Sequence, residues 1–151
     1  MIEPFSEEQL RGFLHRPEQP SGDAIALAHG AGSNCQAPLL VAVANELAEA
    51  GFTVLRFDLA FRQARASGPP RPGDAALDRE GIRAAASALR RIAGGRLFVG
   101  GHSYGGRQAS MLAAADPAFA DGLLLLSYPL HPPRKPAQMR TAHLGGLARW
   151  M

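Results

Sequence analysis

Residues 96–106 read Arg96-Leu97-Phe98-Val99-Gly100-Gly101-His102-Ser103-Tyr104-Gly105-Gly106. The apolar opening has strand character, the glycines allow a tight turn, and Arg107-Gln108-Ala109-Ser110-Met111-Leu112-Ala113-Ala114 continues in helix-forming residues. The stretch predicts strand, sharp turn, helix. Within it, Gly101-x-Ser103-x-Gly105 has the spacing of a turn that holds a serine on strained backbone while flanking glycines let strand and helix approach. Ser103 is therefore the candidate nucleophile, and the backbone N–H of Tyr104, at the start of the following helix, would meet negative charge favourably.

Moving outward, Asp116-Pro117 ends that helix and Asp121-Gly122 introduces the apolar strand Leu123–Tyr128. On the other side, Asp74 suits an N-cap for a helix whose face is Leu77, Ile82, Ala85, Ala86, Leu89 and Ile92, stopped by Gly94-Gly95. Phe52–Asp58 is β-branched and aromatic, hence a strand. Before it, Leu39, Leu40, Val43, Ala44, Leu47 and Ala48 recur at helical spacing, with Pro38 at the first position and Gly51 past the end. Asp23 opens the run Ala24–His29, which suits a strand covered on both faces.

Strands alternating with helices across short connections predict an α/β fold: an open, mostly parallel sheet with helices on both faces. Chemistry in such sheets sits at the carboxyl ends of the strands. That rule brings the turn His29-Gly30-Ala31-Gly32 to the elbow at Gly101-His102-Ser103-Tyr104-Gly105. The glycines of the first turn let a second backbone N–H, that of Ala31, approach the same point, and two such donors make an oxyanion hole. A chain of 151 residues supports one domain over 1–151, with residues 1–20 as a lead-in holding a short candidate strand at Gly12–His15, and 129–151 as a proline-rich irregular tail whose last residues reach at best a short helix.

The net charge of +3 rests almost wholly on arginine, Lys135 being the lone lysine. These arginines are scattered and interleaved with acids, so no nucleic-acid surface is expected. No apolar run reaches membrane-spanning length, and the acidic start Met1–Glu8 is unlike a signal peptide. With Cys35 as the single cysteine, no intramolecular disulfide can form, and a cytoplasmic protein is expected. Neither a cofactor nor a metal is expected.

Taken together, residues 29–34 (HGAGSN), 56–58 (RFD), 100–107 (GGHSYGGR) and 121–128 (DGLLLLSY) resemble the α/β-hydrolase superfamily. More narrowly, they are similar to its small dienelactone-hydrolase-like branch, which includes hydrolase-like domains related to testis-expressed proteins. The resemblance implies serine-nucleophile hydrolysis of an ester or related acyl bond in a small-molecule substrate, through Ser103. Ala31 and Tyr104 would be the oxyanion donors, in turns shaped by His29, Gly30, Gly32, Gly101, His102 and Gly105.

One departure from the family matters. The family's acid and histidine follow the nucleophile, yet no Asp or Glu follows Asp121, and His131 and His143 are the only later histidines. The core looks C-terminally truncated, lacking the last strands, and the triad looks incomplete. Leu123–Tyr128 would then be an apolar sheet edge liable to self-association, which supports an alternative reading as a non-catalytic remnant or interaction module. A second alternative is a dinucleotide-binding domain, since Gly30-x-Gly32-x-x-Cys35 follows a strand and precedes a helix.

Overall fold

Strand β5, Leu97–His102, runs parallel to two neighbours: β3 (Ala24–Ala28) on one side and β6 (Gly122–Leu126) on the other. Beyond β3 lies β4 (Thr53–Phe57), also parallel. The sheet is completed by an antiparallel hairpin of β1 (Ile2–Glu7) and β2 (Leu10–His15), giving the order β1-β2-β4-β3-β5-β6. The computed structural model describes residues 1–150, and the final residue of the expected domain, Met151, lies outside them.

Helix α1 (Pro38–Glu49) covers one face, where Leu40 and Ala44 pack on Ile25, Leu27 and Val54. The opposite face carries α3 (Asp74–Ile92) and α4 (Tyr104–Ala115), whose Ile82, Ala85, Leu89, Ala109, Leu112 and Ala113 bury against Ala24, Ala26, Ala28, Leu55, Phe57 and Val99. Successive residues of β3 thus serve opposite cores, as the period of two requires. No described helix is long and apolar enough to cross a membrane.

The expected elements are present, with five differences. Residues 1–20 hold more than one short strand, since they supply β1 as well as β2, whose second part is the expected Gly12–His15. Their turn is built from Glu8 at φ 50°, so it lacks the usual glycine or asparagine signal, and Pro4 sits on an edge strand where it costs no ladder bond. A short helix, α2 (Ala60–Ala64), occupies part of the expected loop after β4. Asp74 is the first residue of α3 rather than its cap: Gly73 precedes it at φ 91°, and the Asp74 carboxylate instead accepts the N–H of Arg71 at 2.6 Å and pairs with Arg65. On α3, Ile82, Ala85, Ala86 and Leu89 are buried as expected, but Leu77 is 61% exposed and Asp78, one residue on, is fully buried in its place. Finally, the short helix at the end of the proline-rich tail, Ala142–Trp150, is of 3-10 type and packs on α4.

The hairpin carries a titratable core group. His15 is buried, and its Nε2 accepts the Nε–H of Arg56 at 2.8 Å. Burial, then the positive charge of Arg56, then the N-terminal ammonium lower its pKa to about 4. The folded state therefore refuses a proton that the unfolded chain accepts near 6.5, and stability present above that pH falls as pH drops towards 4. The loss should reach about 3 kcal/mol. Urea denaturation at pH 7 and pH 4.5, on the native chain and on His15→Gln, should show a smaller acid loss in the variant. Equal losses would exclude His15 as the source.

Candidate active site around Ser103

Ser103 occupies the turn between β5 and α4 at φ 51°, ψ −114°. Its own N–H donates to the Leu126 carbonyl at 2.7 Å, and its carbonyl accepts the Arg107 N–H at 3.0 Å. Tyr104 is the first residue of α4, so its N–H has no partner one turn back. The planar peptide joining Ser103 to Tyr104 points that N–H opposite to a carbonyl aimed along the helix, out of the helix N-terminus and past the serine.

The glycines explain how the turn reaches its neighbour. A Cβ on Gly105 would lie 2.4 Å from the His29 carbonyl, and one on Gly101 would lie 2.4 Å from the Ala28 carbonyl. From the opposite side, a Cβ on Gly30 would lie 3.1 Å from His102 Nδ1. The turn after β3 and the turn after β5 are therefore in backbone contact. Around Gly32 there is open space, so that glycine is not required by packing.

His29 is buried and orders the first turn. Its Nε2 accepts the Leu59 N–H at 3.0 Å, which leaves the ring proton on Nδ1, 2.8 Å from the Gly30 carbonyl that accepts it. Burial lowers its pKa, so the ring is neutral at neutral pH. Because the peptide is planar and trans, holding the Gly30 carbonyl also fixes the direction of the Ala31 N–H. The next carbonyls are gripped by Arg62, which is buried: its Nη2 donates to Ala31 at 3.1 Å and to Gly68 at 3.0 Å, its Nε to Ser33 at 2.8 Å, and its Nη1 to Arg65 at 3.1 Å. Among the described residues, neither the Ala31 N–H nor the Tyr104 N–H has a backbone acceptor.

The remaining polar groups have structural duties. Asp58 lies at the end of β4, two strands from β5 and so about 10 Å away. Its carboxylate accepts the Cys35 N–H at 2.9 Å, holding the loop before α1, and the Arg11 Nε–H at 3.2 Å. The Cys35 thiol is buried and pushed up to about 12, chiefly by that burial. His143 meets Ser110 Oγ at 2.8 Å and the Tyr128 hydroxyl at 3.3 Å through Nε2. Ser110 already donates to the Arg107 carbonyl and Tyr128 to that of Arg140, so the His143 proton sits on Nε2, facing both hydroxyls. His131 bonds the neighbouring Pro132 carbonyl. Among the described residues, Ser103 Oγ has no histidine partner.

The profile of the family described as Alpha/beta hydrolase domain matches residues 21–149. The chain belongs to the α/β-hydrolase family. Solved structures agree in fold. TT1662 from Thermus thermophilus superposes with a TM-score of 0.68 at 28% identity, over 99% of this chain and 66% of that one. An alpha-beta serine hydrolase homologue from Coxiella burnetii gives 0.69 at 16% identity, over 91% and 66%. A dienelactone hydrolase from Anabaena variabilis gives 0.65 at 24% identity, over 83% and 61%. This α/β-hydrolase chain thus spans 61–66% of the length of these three.

Family membership also bears on the dinucleotide reading. In that motif the third small residue opens the helix, whereas here α1 begins at Pro38, three residues past Cys35, and the acid at the end of β4 is already bonded to that loop. Sequence reasoning missed Leu59, Phe61, Arg62 and Asp78, all buried beneath the two turns.

Proposed function

We propose that Ser103 is the nucleophile of a hydrolase acting on an ester or related acyl bond of a small molecule. One observation carries this reading: Ser103 sits at positive φ on the strand-to-helix turn, in backbone contact with the turn after β3. Ser103 Oγ would attack the acyl carbon and the alcohol would leave carrying the serine proton, after which water would release the acid from the acyl-serine; in both steps the N–H groups of Ala31 and Tyr104 would receive the charge that develops on the carbonyl oxygen. Each such donor is worth about 3 kcal/mol to the transition state. A dienelactone hydrolase is among the structures that share this fold.

Among the described residues neither His143 nor His131 hydrogen-bonds Ser103 Oγ, so attack by this chain alone should be slow. A fluorophosphonate probe should label Ser103, and added imidazole should accelerate the labelling by standing in for the base. Labelling at another residue, or none with imidazole present, would overturn the reading.

A second reading rests on β6. Its outer edge pairs with no described strand, and all of its residues are half-buried. In that reading the edge binds another copy of the chain, and sedimentation would show concentration-dependent association of a protein that no probe labels.

A further inference from the structure

We propose that Asp78 is a positioning residue for the chemistry at Ser103, gripping the Tyr104 phenol and thereby locking the elbow to the turn that carries Ala31. The inference rests on the hydrolase reading above and extends it to a residue on a helix that contributes nothing else to the site.

Asp78 is fully buried on α3, among Ile82, Ala85 and Leu89. A carboxylate in such a place is costly unless every lone pair that matters is met. Its Oδ1 accepts the Phe61 N–H at 2.9 Å and its Oδ2 accepts the Tyr104 hydroxyl at 2.6 Å. Burial pushes the Asp78 carboxyl upward, opposed by these two hydrogen bonds, while burial and the nearby carboxylate push the Tyr104 phenol upward as well. The tyrosine therefore keeps its proton and remains the donor.

Both partners lead to the site. Tyr104 is the residue after Ser103, and its ring meets Phe61 edge-on at 5.7 Å and 87°. Phe61 in turn packs on His29 at 5.6 Å, the ring that fixes the Gly30 carbonyl. Next in the chain is Arg62, whose guanidinium lies 4.7 Å from the Phe61 ring and holds the Ala31 and Ser33 carbonyls. One carboxylate thus ties the element beneath the first turn to the residue that opens α4. Donors in an oxyanion hole act only when held where the charge will develop, and small displacements are expensive.

The test compares the native chain, Tyr104→Phe, and Asp78→Asn/Tyr104→Phe. Two quantities are read: the rate of fluorophosphonate labelling at Ser103, resolved into its maximal rate and half-saturating concentration, and the backbone amide resonance of Ala31. Tyr104→Phe should lower the maximal rate about 10- to 100-fold with the half-saturating concentration unchanged, and should shift the Ala31 amide. The double variant removes the buried charge and should recover melting temperature without recovering rate, which a purely structural role would not produce. Native labelling rate and an unmoved Ala31 amide in Tyr104→Phe would overturn the proposal. Recovery of rate together with melting temperature in the double variant would overturn it too. An unlabelled native chain whose Ala31 amide still responds would instead remove the hydrolase reading and leave the mechanical linkage standing.

Discussion

Ser103→Gly should abolish fluorophosphonate labelling and at the same time raise the melting temperature by about 2–4 °C. The loss is chemical, since the only atoms removed are the hydroxyl and its carbon. The gain is conformational. Ser103 sits at φ 51°, ψ −114°, a region that a residue with a Cβ enters at a cost of about 1–3 kcal/mol. Glycine enters it freely. Against that gain stands the larger freedom of glycine in the unfolded chain, about 0.4–1 kcal/mol, so roughly 1 kcal/mol should remain. Ser103→Ala is the control: it removes the same hydroxyl but keeps the Cβ, and should lose labelling without gaining stability. Equal melting temperatures for the two variants would show that the backbone at this turn is unstrained.

The central strands and long helices were legible because their signals are local. Ala24–Ala28 and Leu97–Val99 are apolar on both faces, as strands sandwiched between helices must be. Pro38 and Gly51 bracket α1 where a first-turn proline and a terminating glycine belong. Of the hairpin at the start only Gly12–His15 was legible, because the strands lie at the sheet margin and their turn uses Glu8, a residue with no turn preference. Helix α2 was hidden for a related reason: five residues are too few for a periodic pattern, and what fixes the segment is burial of Phe61 and Arg62.

The site divides the same way. Ser103 and the glycine-bearing turns announce themselves by spacing, since close backbone approach restricts the residue type at each position. Arg62 gives no such signal, because its acceptors are the carbonyls of Ala31, Ser33, Arg65 and Gly68, and backbone carbonyls are present whatever the sequence. Asp78 did leave a trace. It stands four residues before Ile82, in phase with Ala85 and Leu89, and an acid on the apolar face of a helix implies a buried donor for it. Leu77, the more hydrophobic neighbour, competes for that first position of the face, yet it is the acid that is buried there.

Gly105→Ala should be the most damaging single-methyl change in the elbow, costing about 3 kcal/mol in stability. The cause is steric. A Cβ at Gly105 would sit 2.4 Å from the His29 carbonyl oxygen and 2.8 Å from the Ala28 Cβ, both belonging to the central strand β3 and the turn after it. Neither can swing aside: Ala28 is buried and paired within the ladder to Phe57 and Gly101, and the His29 side chain is held at both ring nitrogens. Relief must come from α4 moving off β3, which carries Tyr104 and its N–H with it. Labelling at Ser103 should therefore fall about 100-fold even in the folded fraction. Gly32→Ala makes the contrast, because no atom lies within 4 Å of its would-be Cβ and the stability change should stay within about 0.5 kcal/mol. Urea denaturation of both variants decides the matter. If Gly105→Ala unfolds at the native urea concentration, the two turns do not touch as closely as the oxyanion arrangement needs, and the case for Ser103 as a prepared nucleophile loses its geometric support.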